Sequence, residues 1–489
     1  MRDESKTPEA PAAPQRKLTP ANENPWYVLM TLYGEQEGKR VDLELHEKNR
    51  RAWNAWASQC LSSEEKGEVV KSSRLTWGEL EAWEKVSDDI TSRYLAEYLR
   101  RNPNVDHPPE LPDPRRLIKC KEIGFYKRVQ FSGMLFCGSA DFGESVFCRG
   151  VNYSNAMFLR DAYFYSVKFE GKAFFPSVSF SQWTEFGKAE FKKIAYFQSA
   201  KWSVDVDFRE ALFTGEANFE EASFKKSALF QSAKFIQNAH FGLATFEGFA
   251  YFAGAVFGRT GELPCLSNFS ECHFSKPTSF RGAKFHDAFP NFSGAILHDK
   301  TSFTAKSVPT DGEKALGSSL YWPASPVQDL ETARESCATI RHLLAKQGLP
   351  EDEHFFFRRE MHFAGKIGSI WQRLPYLLFG LFSEYGYSIL RPTLWLLGVW
   401  AFGFAAFWGY FSGCCVPAPH EVIERPMGSA IALSFSNLFP LFGFGRTFLL
   451  EELKALPAVL QFFSGFQTVA SLPLLFFLGL GLRQRFRLR

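Results

Sequence analysis

The chain lacks nearly every signature that announces an enzyme or a secreted protein. No CxxC pair, HExxH helix, nucleophile elbow or phosphate-cradling glycine loop occurs in its 489 residues, so metal-hydrolase, serine-hydrolase and nucleotide chemistry have no foothold. Nine cysteines are thinly spread, which fits reduced thiols better than a disulfide framework. Cys265, Cys272 and His273 lie close together, but their spacing is not that of a usual zinc site. No catalytic residue, cofactor or metal site is expected. Charge of one sign is missing too: 56 Lys+Arg stand against 53 Asp+Glu, a net +3. No bulk field draws the chain to nucleic acid or to an acidic substrate. The opening MRDESKTPEAPAAPQRKLTP has no apolar run, so residues 1–23 read as a disordered tail, not a signal peptide.

What the chain has in excess is phenylalanine: 53, against 15 Tyr and 12 Trp. From Phe131 to Phe257 an aromatic recurs at alternating steps of five and six residues, for 24 positions without a miss. Twenty-two of these are Phe, and the others are Tyr153 and Trp202. Two residues before all but Phe136 stands a small or β-branched residue, Ala in 16 cases. Phe142, Phe158, Phe175, Phe191, Phe208, Phe224, Phe241 and Phe257 exemplify the resulting core. The ladder resumes at Phe269 after an insertion at 258–264 and decays by Phe303. A mean spacing of 5.5 suits neither a helix nor a flat strand. It suits a coil that turns a corner once per unit and stacks on its neighbours at about 4.8 Å.

With runs such as ANFEEASF (217–224) and ALFQSAKF (228–235), residues 125–303 resemble the pentapeptide-repeat family. The resemblance implies a right-handed quadrilateral β-helix with four faces per coil. The extra residue in alternate units departs from the family pattern and implies about 22 residues per coil, with a bulged corner on two of the four sides. Some members imitate DNA, which requires a strongly acidic surface. Here 19 Lys+Arg oppose 17 Asp+Glu over 125–303, so DNA mimicry is not expected.

Past residue 390 the composition changes. No charge falls between Pro392 and Pro419, between Pro426 and Gly445, or between Ala455 and Leu482. Cations flank the outer two stretches: Arg358, Arg359, Lys366, Arg373 and Arg391 before, Arg483, Arg485, Arg487 and Arg489 after. Positive flanks prefer the cytoplasm. Both ends therefore belong there, the number of crossings is even, and the middle stretch is re-entrant or a helix lying at the far face. Span, re-entrant segment and span make the plan of a pore-loop cation-channel subunit. SAIALSFSNLFPLFGFGR (429–446) resembles a pore helix and filter, with Leu441, Phe442, Gly443, Phe444, Gly445 and Arg446 in the filter position. Such filters open with Thr and close with an acidic residue; Leu441 and Arg446 differ on both counts. Gly465 and Pro473 are hinge candidates in the last span.

The whole is expected to be a mixed fold: a disordered tail (1–23), a small helical cap (24–118), the β-helix (125–303) and a linker (304–328). An αα-hairpin with an interfacial helix (329–391) and a two-span membrane domain (392–489) follow. From 125 to 489 this order resembles bacterial pentapeptide-repeat membrane proteins with an ion-channel-like C-terminus. The resemblance implies a non-enzymatic, multi-pass, oligomeric protein of the inner membrane with both termini cytoplasmic; the channel plan would require a tetramer. The expected partners are the lipid membrane, other copies of the chain, and an unidentified protein or ion, with no nucleic acid. The alternative is a membrane-tethered scaffold whose solenoid docks a protein, the spans serving only as anchor.

Overall fold

The computed structural model describes residues 17–38, 40–258, 263–305, 321–323, 325–413, 425–440, 449, 453–454 and 456–486. The chain divides into two compact units, Met1–Phe356 and Phe357–Arg489.

In the first unit, residues 118–303 wind into a parallel β-solenoid of about eight turns with four faces. Each face is a ladder of strands two or three residues long; two ladders hold nine strands and two hold seven. The register advances by 22, so Phe169 pairs with Phe191 and Ala173 with Ala195. The backbone hydrogen bonds run along the rod: the amides of Phe142 and Phe164 donate to the carbonyls of Tyr163 and Glu185 one coil on, at 2.8 and 2.6 Å. A coil cannot satisfy its own backbone, which is why the repeats must stack.

The five-residue steps make tight corners. At each, one residue takes the left-handed conformation, and such residues recur every eleven positions: Glu122, Gly133, Glu144, Asn155, Ser166 and onward to Leu243 and Gly254. The turn closes on itself, as where the Ala156 amide donates to the Tyr153 carbonyl at 2.9 Å. The six-residue steps make wider corners where neighbouring coils crowd. A Cβ on Gly171, Gly215 or Gly248 would press into the backbone of Arg149, Lys193 or Lys226, one coil earlier.

Inside, the aromatics form four columns, and Phe142, Phe158, Phe175, Phe191, Phe208, Phe224, Phe241 and Phe257 are all buried. Along a column the rings are parallel at the coil spacing: Phe219 lies 4.8 Å from Phe197 and 4.9 Å from Phe241. Across the core they meet edge to face, as Phe208 and Phe219 do at 5.4 Å and 88°. Both geometries suit the ring quadrupole. The alanines two residues back are buried as well and leave room for the rings.

Tyr153 departs from the phenylalanine rule: its hydroxyl is buried among rings without a partner. Removing an unpaired buried hydroxyl recovers its desolvation penalty, on the order of 1–2 kcal/mol. Tyr153→Phe is therefore expected to raise the melting temperature of the rod in calorimetry.

Both ends of the rod are closed. At the N-terminal end Thr19–Pro20, expected in the tail, pairs with Ile123–Gly124, and Ala21–Glu23 follows as a short 3-10 helix. Helices α1 (Pro25–Met30), α2 (Leu43–Ala57), α3 (Ser63–Ser72), α4 (Trp77–Leu80) and α5 (Trp83–Arg101) form the cap. Side chains of α2 stand in for a preceding coil. The Trp53 indole donates to the Leu135 carbonyl at 2.8 Å, and Asn54 donates to the Gly133 carbonyl and accepts from the Leu135 amide. Tyr27 and Trp53 lay their rings against Phe125 and Phe136, the first rings of two columns. At the other end Trp322, in the segment expected to be a linker, stacks on Phe285 at 5.1 Å and donates to the Thr304 carbonyl. Phe356 meets Trp322 edge on at 4.9 Å.

The N-terminal seal carries a titratable group. Nε2 of buried His46 lies 3.0 Å from the Ser132 carbonyl and 2.9 Å from its hydroxyl, while Nδ1 is buried without a partner. A second proton would sit on Nδ1, which makes no hydrogen bond among the described residues, although the Gln130 backbone nearby favours it. Burial lowers the His46 pKa and nearby Arg50 lowers it further; Glu47 and the hydrogen bond to Ser132 oppose this. The folded state thus binds the proton less readily than the unfolded one. Stability should be complete above the unfolded imidazole's pKa of about 6.5 and fall as the pH drops below it. Melts at pH 7.5 and 5.5 should show that loss, and His46→Gln should reduce it.

Beyond the rod, α6 (Leu330–Lys346) begins at Asp329, whose carboxylate accepts from the amides of Glu331 and Thr332. Gly348, at positive φ, breaks the chain before α7 (Pro350–Ala364). In the second unit α8 (Ile370–Ser383), α9 (Leu390–Phe411), α10 (Pro426–Leu438) and α11 (Ala458–Phe486) follow. Leu390–Phe411 and Ala458–Gln484 are long and apolar enough to cross a membrane, at mean hydropathies of 1.5 and 1.6. Among the described residues, 22% of the most apolar stretch of each is buried.

Candidate functional site: a polar joint among the apolar helices

Three helices of the second unit converge on a polar cluster. Helix α10 has 13 residues, about 20 Å of rise, against a hydrocarbon core of about 30 Å. It starts with Pro426 in the first turn, where proline costs no hydrogen bond. Its buried side, Ala430 and Leu433, packs with Phe407 and Phe411 of α9 and with Leu456. At its other end Leu438 meets Leu396 of α9 and Leu474 of α11.

Between these apolar contacts the joint is polar. Ser434 and Asn437 are three apart on α10, and Ser464, Gln467 and Ser471 are spaced by three and four on α11, so each set occupies one stripe. All five are buried, Gln467 with 1% of its surface exposed. The Asn437 amide donates to Ser464 Oγ at 2.9 Å and to Gln467 Oε1 at 3.0 Å. Gln467 Nε2 donates to Ser434 Oγ at 2.8 Å and to the Val399 carbonyl of α9 at 3.2 Å. Ser434 Oγ donates to the Trp400 carbonyl at 2.8 Å, and Ser471 Oγ to the Asn437 carbonyl at 3.3 Å. The network therefore ties the short helix to both long ones. Gly403 makes room for it: a Cβ there would collide with the Gln467 amide and reach 2.7 Å from Ser434 Oγ.

No member of the cluster titrates, so it holds position and does not move protons. Among the described residues no group of three His, Cys, Asp or Glu could hold a metal. Cys265 and Cys272 are buried, and burial pushes both thiols up to about 12, which keeps them protonated.

The filter candidates Leu441, Phe442, Gly443, Phe444, Gly445 and Arg446 lie outside the described residues. Gly465 and Pro473 both fall within α11, which runs through them as one helix. Among the described residues nothing approaches the place a Cβ would take on Gly465. In the sequence Gln467 is only one polar residue in an apolar run. Its spacing to Ser464 and Ser471 was the available signal, but the partners on α10 lie some thirty residues earlier.

Some charges of the rod pair between coils, while Glu185 and Asp207 on another face are like-charged neighbours. Lys192 pairs with Glu170 at 2.7 Å and Lys168 with Glu190 at 3.8 Å, with no single-sign stripe along these positions. In the second unit Glu384 bridges Arg358 at 2.8 Å and Arg391 at 3.8 Å, just ahead of α9.

No curated protein and no solved structure matches the chain. Residues 175–223 match the family model for pentapeptide repeats in nine copies; the four-faced rod is a pentapeptide-repeat β-solenoid, followed in the chain by two helices long and apolar enough to span a membrane.

Proposed function

We propose that the second unit is a pore-loop, ion-channel-like membrane module, that the chain works as an oligomer, and that the solenoid is its cytoplasmic sensing or docking domain. The observation that carries this reading is α10: too short to cross, wedged between two helices that are long enough, and held to both by the Asn437–Gln467 network. An anchor has no need of a third helix that stops partway. Burying five polar side chains in hydrocarbon is costly unless they fix a geometry that matters. Helix α10 ends just before the Gly443–Phe444–Gly445 stretch, so the joint sets where a filter would begin. The arginines on either side of the two spans favour both ends on the cytoplasmic side, in the inner membrane of a bacterium. Catalysis is not part of the proposal.

The test is the full chain purified in detergent and then reconstituted. A four-fold assembly that passes ions across a planar bilayer is the expected result. A monomer or dimer would overturn it, as would a folded tetramer without current. Either outcome would leave the membrane-tethered scaffold, whose rod docks a protein partner, as the better account.

A further inference from the structure

Helix α8 presents a face that no described residue of its own unit covers. Ile370, Trp371, Leu374, Leu377, Leu378 and Leu381 are all exposed, Trp371 at 79%. At 100° per residue these six fall within an arc of about 120°, a continuous apolar stripe. The packed side is a different one. Phe379 meets Phe477 of α11 at 5.6 Å, and Phe382 meets Trp395 of α9 at 5.2 Å. The stripe is thus neither the helix's contact with its unit nor a scatter of single exposed residues.

The helix is also fixed at its end. Ser369 and Gln372 form a capping box at its start. At its finish Arg391, in the first turn of α9, donates to the Gly380 carbonyl at 3.0 Å. Glu384, in the left-handed conformation, ends the helix and pairs with Arg358 and Arg391. These contacts hold α8 against the base of α9, at the depth where an apolar span gives way to charge.

We infer that α8 lies in the headgroup–acyl boundary of the bilayer, its Ile370–Leu381 stripe buried in lipid. This rests on the membrane reading of α9 and α11. A lipid surface fits better than a second protein for two reasons. The stripe continues the apolar exposure of the spans, with Leu394 and Leu397 of α9 also open. The sequence IWQRLPYLLFGLFS has no acidic residue, and exposed Arg373 and Lys366 lie at or just before its start, where cations reach phosphate headgroups and tryptophan favours the interface.

The experiment places the photo-reactive residue p-benzoylphenylalanine at Leu377, and separately at Phe462 of α11, in the full chain. Both sites are exposed, at 54% and 79%, so the fold tolerates the larger ring. The proteins are put into nanodiscs of phosphatidylcholine and phosphatidylglycerol, irradiated and weighed. Phospholipid adducts at both positions are expected. Lipid adducts at 462 with none at 377, or a cross-linked pair of chains from 377, would overturn the inference and leave the membrane reading standing. No lipid adduct at either position would overturn both.

Discussion

Phe219→Ala is expected to destabilise the rod by about 3–5 kcal/mol, the cost of emptying a well-packed aromatic site. Phe219 touches a ring above, a ring below and rings on both sides: Phe197 at 4.8 Å, Phe241 at 4.9 Å, Phe208 at 5.4 Å and Phe230 at 5.6 Å. The cavity cannot collapse, because the coil spacing is set by backbone hydrogen bonds and not by side chains. At about 2–4 °C per kcal/mol for a unit of this size, the transition should fall by about 10 °C in calorimetry. The one-dimensional architecture adds a second readout. Phe219→Ala combined with Phe241→Ala should be non-additive, since the two share a contact. Combined with Phe142→Ala, several coils away, it should add. Additivity in both pairs would show that the columns do not act as packed units.

Gly403→Leu should be the most damaging single change in the second unit. The new side chain would enter the space that the Gln467 amide and Ser434 Oγ fill. Either the network breaks or α9 moves off α10. Breaking it strands Asn437, Gln467 and Ser434 without partners in apolar surroundings, at roughly 1 kcal/mol per lost bond, to which overpacking adds about 1–3 kcal/mol. A total of about 3–5 kcal/mol is expected, read as a lower melting temperature of the purified protein in nanodiscs. Gly465→Ala is the control: its Cβ meets nothing within contact distance, so a change of less than about 1 kcal/mol is expected.

The rod was readable because its signal is one-dimensional. A buried ring every five or six residues needs no partner from elsewhere in the chain to be recognised, and Phe142 through Phe257 sit where that rhythm puts them. The corners were not readable. Their left-handed positions are filled by Glu122, Asn155, Ser166, Lys188 and Leu243 far more often than by glycine, so the usual mark of positive φ is missing. The seals at the two ends were hidden for a related reason. Thr19–Pro20 is a strand only because Ile123–Phe125 offers it an edge. Trp322 sits in a stretch whose composition reads as a linker, and its role exists only against Phe285 and Phe303. In the second unit the apolar runs announced two long helices, but the polar joint is assembled from α9, α10 and α11. Serine, asparagine and glutamine scattered over such a distance carry no local periodicity that names their partners.

The insertion after Phe257 shows how this architecture grows. Ala239 pairs with Ser267 and Val256 with Lys284, intervals of 28 in place of 22. Phe241 still stacks on Phe269 at 4.9 Å and Phe257 on Phe285 at 4.8 Å. The interval grows by six residues there, and all four ladders continue across it. A gene encoding such a rod can gain loops at its corners, or whole 22-residue turns anywhere along it, while every junction between coils stays the same.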